Sequence, residues 1–148
     1  MFIIFSALKS QSGKYNFIVL IIITQLCISV NAQILKDTAT FKLIRQGVNY
    51  IYNLQFDEAT TVYEKLKSKY PEHPVPSLYK GMLIYWKYFP LMPTSAATPL
   101  FEKELTRCIE QCEKARQTSE EPEYLLADLG ARGLLLLYYA DNKLSMNV

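Results

Sequence analysis

Histidine is almost absent from this sequence, and the scarcity limits the chemistry that the chain could perform. His73 is the single histidine among 148 residues, so it has no second histidine as a metal-ligand partner and no evident nucleophile to activate. It lies between Glu72 and Pro74, a context typical of a turn. The motifs GxSxG, HExxH and CxxC, a glycine-rich phosphate loop and a calcium loop are also missing. The sequence therefore predicts a protein that is not an enzyme and binds no cofactor or metal.

Long runs of like charge are missing as well. The chain has 16 basic and 14 acidic residues, for a formal net charge of +2. Lys9 and Lys14 lie in residues 1–32, which contain no acid, so the remainder of the chain has 14 basic and 14 acidic residues. A neutral body gives no electrostatic basis for binding nucleic acid. We therefore expect no nucleic-acid partner.

Residues 1–32 have the pattern of a targeting segment. Two lysines precede the apolar run Phe17–Ile28, and the small-residue site Val30–Ala32 follows it. A basic region, a short apolar core and such a site are typical of a secretory signal peptide. We predict cleavage after Ala32, which leaves Gln33 as the first residue of a periplasmic or secreted protein.

An uncleaved membrane anchor is the alternative for this segment. The apolar stretch Tyr15–Val30 has 16 residues, fewer than the roughly 20 that a membrane-spanning helix needs. With the leader retained, the protein would be a membrane-anchored helical structural subunit. In either case, residues 1–32 form the leader and residues 33–148 form the helical domain.

Apolar residues recur at gaps of three and four beyond the leader, as in Phe41, Ile44, Val48 and Ile51. This spacing places them on one face of an amphipathic helix. Prolines and capping residues divide the chain into further helices. Five helices are predicted: Thr38–Asn53, Asp57–Lys69, Pro76–Phe89, Thr98–Gln117 with Thr98 as its cap, and a fifth from the capping box Thr118–Glu121 to about Ala140. The sequence therefore predicts an all-α fold.

Several of these positions recur along the chain at matching intervals. Gly81 follows Gly47 by 34 residues, and Gly130 follows Gly81 by 49 residues. Residues of the second helices repeat the interval of 49, in the pairs Ala59–Cys108, Tyr63–Cys112 and Leu66–Ala115. Because the two sets of landmarks agree, we interpret the helices as repeated units with an insertion in the second.

This pattern resembles the tetratricopeptide repeat, which has a glycine and a tyrosine in a first helix, then an alanine and an aromatic residue along a second, within 34 residues. The resemblance covers roughly residues 38–142. It implies antiparallel helix pairs stacked as a short right-handed α-solenoid, with two full units and the first helix of a third. The residues that it implies for repeat packing are Gly47, Tyr50, Ala59, Tyr63, Gly81, Cys108, Cys112, Ala115 and Gly130.

Cys108 and Cys112 are the clearest candidates for chemistry. A disulfide is allowed in an exported protein, but two cysteines four residues apart on one helix are poorly placed to bridge. A zinc site there would need two further ligands. We therefore interpret both as small apolar residues on the packing face. An enzyme that uses Cys108 or His73 is the alternative from another functional class.

The resemblance also implies a surface for a partner, because the first helices of tetratricopeptide arrays line a concave groove that binds peptides. The residues expected on that face are Ile44, Val48, Ile51, Tyr52, Leu78, Met82, Tyr85, Trp86, Ala127, Ala131 and Leu134. Among them, Tyr52, Met82, Tyr85 and Trp86 form the candidate partner-binding surface. Burial of the same residues between helix layers is the alternative.

The last predicted helix ends in the apolar run Gly133–Ala140 without a further helix after it. Repeat arrays usually close with a polar capping helix. We therefore expect a C-terminally truncated fragment of a longer repeat protein, a homodimer through this helix, or a leader that packs there. Taken together, the patterns predict an exported scaffold that holds a protein or peptide partner and has no catalytic activity.

Overall fold

The computed structural model describes residues 34–143, with only the backbone of Leu35. A short 3-10 turn at Ile34–Lys36 precedes five helices: α1 (Thr38–Tyr52), α2 (Phe56–Lys69), α3 (Pro74–Lys87), α4 (Thr98–Arg116) and α5 (Pro122–Asp141). No strand occurs between residues 34 and 143, so the prediction of an all-α fold with five helices is confirmed. In the same part of the chain, every helix is too short or too polar to cross a membrane. The predicted signal peptide over residues 1–32 and its cleavage after Ala32 lie outside the described residues.

Asp37 starts α1 and also ties it to the end of α2. Its side chain accepts hydrogen bonds from the backbone N–H groups of Ala39 and Thr40, at 3.1 and 3.3 Å, as an N-cap does. The same carboxylate accepts hydrogen bonds from the Lys69 ammonium at 2.5 Å and from the Tyr70 hydroxyl at 2.8 Å. These bonds, led by that of Lys69, hold the pKa of Asp37 well below its usual range.

The start of α1 corrects the predicted apolar face of that helix. Phe41, expected to face inward, is exposed, and Thr40 is buried in its place. Thr40 can be buried because its hydroxyl bonds both Asp37, at 2.6 Å, and Tyr70, at 3.1 Å. Its neighbour Phe41 points about 100° away around the helix, toward solvent.

The capping or the first residue differs from the prediction in three helices, and α2 begins at Phe56, one residue before the predicted Asp57. α3 begins at Pro74 rather than Pro76, because the His73 side chain caps it by accepting from the Val75 N–H. Thr98 is the first residue of α4 rather than its cap, and its hydroxyl donates to the Met92 carbonyl at 2.7 Å.

The third difference is at α5. The capping box predicted over Thr118–Glu121 does not form, since the Glu121 side chain makes no capping bond and the helix starts at Pro122. Ser119 instead accepts from the Glu121 N–H at 3.3 Å, a local turn that competes with helix at this point.

Three of the four successive helix pairs run antiparallel, as the residues that meet across them demonstrate. For α1 and α2 the pairs are Thr40–Tyr70 and Gly47–Val62; for α3 and α4 they are Ser77–Gln111 and Gly81–Leu105; for α4 and α5 they are Phe101–Tyr138 and Cys108–Ala127. Between the two contacts of each helix pair, the residue number increases along one helix and decreases along the other. Short connections favour such antiparallel neighbours.

The odd-numbered helices run in the same direction, side by side. Gly47 and Tyr52 of α1 lie against Tyr79 and Trp86 of α3. Leu78 and Tyr85 of α3 meet, in turn, Gly130 and Asp141 of α5. α3 also contacts α2 and α4, so it packs against all four other helices. The packing is consistent with a solenoid-like helical arrangement.

The core has two clusters that share α3. The first lies among α1, α2 and α3 and contains Ile51, Ala59, Val62, Leu66, Tyr79 and Leu83. The second lies among α3, α4 and α5 and contains Ile84, Tyr85, Leu91, Phe101, Leu105, Cys108, Cys112, Ala127, Ala131 and Tyr138. Trp86 contacts both clusters from a half-buried position. α3 is therefore apolar nearly all round because it is covered from two sides.

Candidate interaction surface

The glycines predicted for packing lie where helices approach closely. A Cβ added at Gly47 would lie 2.7 Å from Val62 Cγ1, and one at Gly81 would lie 2.8 Å from Leu105 Cγ. Both distances are below van der Waals contact, so a side chain at either position would push a neighbouring helix away. At Gly130 the nearest atom, on Leu78, would be 3.2 Å away, a tight contact that a small shift can relieve.

The predicted second-helix positions are buried to different degrees. Ala59, Cys108 and Cys112 are fully buried, whereas Tyr63 and Ala115 are half-buried. Tyr50 in α1 is also half-buried, and its hydroxyl accepts from the Gln46 amide at 2.7 Å. The matching buried triplets are Ala59, Val62, Leu66 in α2 and Leu105, Cys108, Cys112 in α4, which are 46 residues apart. The predicted pair Tyr63–Cys112 does not match in burial, because Cys112 points into the core while Tyr63 lies at its edge, under the Lys80 ammonium. The burial pattern thus favours an offset of 46 residues between α2 and α4 rather than the predicted 49.

Cys108 and Cys112 are free, buried thiols. The Cys108 Sγ donates to the Ala127 carbonyl at 3.7 Å. A hydrogen bond with Cys112, together with burial, raises the pKa of Cys108 well above its ordinary value. A buried thiol with a raised pKa is a poor nucleophile, and this geometry suits the interpretation of both cysteines as packing residues.

His73 lies in the turn before α3, as predicted, and its side chain is only 7% exposed, at the junction of α3 and α5. Its Nδ1 accepts from the Val75 N–H at 3.2 Å, so Nε2 has the proton and lies 3.4 Å from Oε1 of Glu123, which is also buried. The ring packs against Tyr124, at 5.3 Å between centroids, and the edge of Tyr70. Burial lowers the pKa of His73, although the Glu123 carboxylate opposes the shift. Both ring nitrogens therefore take part in contacts that hold the fold.

Tyr85 does not belong to the exposed surface that the sequence predicts. It is 2% exposed and lies in the second core cluster. Its hydroxyl donates to Asp141 Oδ2 at 2.6 Å, and burial together with this bond raises the pKa of Tyr85 to about 12. Ile51, Ala127 and Ala131, expected on the same groove, are buried as well. These residues lie between helix layers, the alternative stated for them above.

Tyr52 and Trp86 do lie together at the surface. Their rings meet edge to face, 5.6 Å between centroids, and join the end of α1 to the end of α3. Tyr52 is 61% exposed, while Trp86 and Met82 are half-buried. Met82 and Trp86, four residues apart, share one face of α3.

Phe89 extends this surface, and the sequence analysis did not place it there. Phe89 lies in the turn after α3, and its backbone N–H donates to the Trp86 carbonyl at 3.4 Å. Its ring stacks on the Trp86 ring, with 5.6 Å between the centroids. Phe89 is 56% exposed. We call Tyr52, Trp86 and Phe89 the aromatic ledge. The available signal was the spacing of three between Trp86 and Phe89, which keeps both side chains on one side even where the helix ends.

In the part of the chain that the structure describes, there is no group of three or more His, Cys, Asp or Glu side chains that could hold a metal ion. Comparison of the chain with protein-family models, curated proteins and solved structures found no match in any of the three. The functional interpretation below therefore rests on the chain's own residues.

Proposed function

We propose that this chain is an exported, tetratricopeptide-like scaffold that binds a protein or peptide partner and has no catalytic activity. The observation that carries the proposal is the aromatic ledge, where Trp86 of α3 touches both Tyr52 of α1 and Phe89 of the following turn, and where Tyr52 and Phe89 are exposed. Aromatic side chains give a large contact area at low cost in conformational entropy. An apolar, uncharged segment of another protein suits such a surface.

The helix order supports the repeat interpretation. Stacked repeats contact mainly their neighbours in the chain, and here α3 joins the α1–α2 pair to α4 and α5. We propose right-handed stacking of the pairs α1–α2 and α3–α4, with α5 as the first helix of a third unit. In this scheme Gly47 and Gly81 have the same role, since each lets the following helix approach closely.

The state of the two candidate reactive residues also supports a role without chemistry. Cys108 is fully buried, and His73 uses both ring nitrogens in internal contacts. A nucleophile and its base would have to lie within hydrogen-bonding reach of each other and of a substrate. Neither residue has such an exposed position.

Trp86 provides a direct test of partner binding, because it is the single tryptophan of the chain. Peptides selected for binding from a displayed random library would be titrated into the purified protein while Trp86 emission is recorded. We expect a blue shift as a bound peptide excludes water from the ledge. Replacing exposed rings by Tyr52→Ser or Phe89→Ser should weaken binding by at least about tenfold, as for interface hot spots.

Phe41→Ser is the matched control, since Phe41 is another exposed aromatic residue, near the other end of α1. The control should bind the same peptides with unchanged affinity. Selected peptides that leave Trp86 emission unchanged, or that bind the Tyr52 and Phe89 variants as well as the parent, would refute the ledge as the binding surface.

We also propose that the leader directs export and is removed after Ala32. The supporting observation is the basic, apolar and small-residue pattern of residues 1–32. Mass spectrometry of the protein from its expressing cell should find Gln33 at the N-terminus. A retained leader in the membrane fraction would favour the alternative, a membrane-anchored structural subunit.

A further inference from the structure

The start of α3 has few backbone donors, and the His73 ring caps one of them. Pro74 and Pro76 have no backbone N–H, so the first three residues of α3 offer only the N–H of Val75. That N–H donates to Nδ1 of His73 at 3.2 Å. An imidazole nitrogen accepts a hydrogen bond only while it has no proton. The cap therefore requires the neutral ring, with its proton on Nε2.

The other side of the same ring connects α3 to α5 and to the end of α2. Nε2 lies 3.4 Å from Oε1 of Glu123, in the first turn of α5, and the His73 and Glu123 side chains are only 7% and 4% exposed. The Tyr124 ring lies 5.3 Å from the imidazole between centroids, and the Tyr70 ring lies 6.3 Å from it. One imidazole thus contacts the ends of three helices.

The titratable groups around the ring determine how it responds to acid. Glu123 and Tyr124 face it from α5, and Tyr70 faces it from the end of α2. From α4 the turn before α3 is reached by Gln111, which is uncharged and donates to the Glu72 carbonyl at 3.0 Å. The Glu123 carboxylate favours a proton on the ring, whereas burial of the ring opposes it.

A second proton does not fit the arrangement at Nδ1. It would place two donors, Nδ1–H and the Val75 N–H, 3.2 Å apart without an acceptor between them. Turning the ring over does not remove the conflict, because both nitrogens of the charged imidazole are donors. The ring and the Val75 N–H must therefore separate when the proton is added.

We propose that His73 is a pH-sensitive switch: the neutral ring holds the starts of α3 and α5 together, and uptake of one proton uncaps α3 and opens this end of the pair. The rest of α3 stays in place, because its close contact with α4, at Gly81 and Leu105, lies further along the helix. The inference goes beyond the proposed function, since Trp86 of the aromatic ledge is at the other end of α3, roughly 20 Å from His73.

An NMR titration of the ¹⁵N-labelled protein tests the switch, with the two ring nitrogens of His73 and the backbone amides as readouts. At neutral pH we expect the proton on Nε2 alone. As the solution is acidified, the ring should take up its second proton with a midpoint below about pH 6.5, the value for an unperturbed histidine. The Val75 amide signal should change with the same midpoint, while the indole signal of Trp86 should stay constant.

Two matched variants identify the carboxylate that acts on the ring. Glu123→Gln keeps the shape of the side chain but removes the charge that favours the proton, so the midpoint should shift to lower pH. Glu72→Gln makes the same change at an exposed residue next to His73 and should leave the midpoint nearly unchanged. A purely structural contact between His73 and Glu123 would not produce this difference.

Three results would overturn the proposal. They are a proton on Nδ1 at neutral pH, protonation of the ring without a change at the Val75 amide, and loss of the native Val75 and Trp86 signals at one pH. The last result would mean that the whole domain unfolds, rather than one junction. Peptide binding followed by Trp86 emission at neutral pH is an independent readout, so failure of the switch leaves the proposed function to its own test.

Discussion

His73 and Glu123 are 50 residues apart in the sequence, yet their buried side chains meet, with Nε2 3.4 Å from Oε1. His73 caps α3 and Glu123 lies in the first turn of α5, so the contact joins the starts of two parallel helices. Glu123 is also favoured there by the helix dipole. The neutral imidazole fits this site because Nδ1 must stay free of a proton to accept from Val75.

The neutral state of His73 predicts how stability depends on pH. In the folded protein burial lowers its pKa, whereas in the unfolded chain the pKa has its ordinary value, about 6.5. The contribution of His73 to the free energy of unfolding is therefore complete above about pH 6.5. It is lost as the pH falls below that value, because the unfolded chain then takes up a proton that the folded protein does not. We expect the free energy of unfolding to fall as the pH drops below about 6.5, by at most about 1.4 kcal/mol per pH unit. Urea unfolding across this range measures it.

His73→Asn is the control for that experiment, since asparagine also caps helices but does not titrate. His73 is the only histidine, so the variant should have nearly constant stability across the same range. An equal slope in the variant would contradict the assignment.

Gly81→Ala should destabilise the protein by about 1–3 kcal/mol, the usual effect of overpacking. The added Cβ would lie 2.8 Å from Leu105 Cγ, where α3 meets α4. Gly133→Ala is the matched change without a clash and should stabilise α5 by about 0.5–1 kcal/mol. Both are measured by chemical unfolding of dilute protein, and similar losses for the two variants would refute the close approach at Gly81.

Tyr85→Phe should cost about 1.5–3 kcal/mol of stability, because it leaves the Asp141 carboxylate without its 2.6 Å hydrogen bond. Peptide binding at the aromatic ledge should be unchanged, since the Tyr85 ring stays in the core. Thermal unfolding and Trp86 emission report the two effects separately. If Tyr85→Phe binds peptide more weakly while its stability is normal, Tyr85 contributes to partner binding and this prediction is wrong.

Cys108 and Cys112 should resist modification by a maleimide in the native protein and react fully in denaturant. Their burial denies access to the reagent, and the raised pKa of Cys108 keeps it a thiol. Ala96→Cys, in the exposed loop before α4, provides a positive control. Peptide mapping by mass spectrometry assigns each modified site, and rapid native labelling of Cys108 would support the enzyme alternative.

Local sequence signals were enough to predict the number and approximate bounds of the helices. Asp37 before Thr38, the prolines near the start of α3 and the 3–4 spacing of apolar residues act within one or two helical turns, so they are readable from a short window. The glycines at positions 47 and 81 and the two buried cysteines were predicted for the same reason, since small residues on an apolar face indicate packing.

The candidate site was predicted in part. Tyr52 and Trp86, both predicted for the surface, lie against each other there, but Tyr85, next to Trp86 in the sequence, is in the core. α3 is apolar on both sides and packs against all four other helices, so its pattern could not show that Tyr85 faces the core while Trp86 lies at its edge. The position of Phe89 depends on how the chain turns after α3.

The sequence was thus sufficient for the number and approximate bounds of the five helices, because these depend on neighbours in the chain. Two features depend on contacts across 50 and 56 residues, namely the His73–Glu123 contact and the burial of Tyr85 against Asp141. A third, the 46-residue offset between the buried triplets of α2 and α4, depends on which helices cover them. Tertiary packing decided them, because whether a side chain is buried is determined by the helix that lies against it.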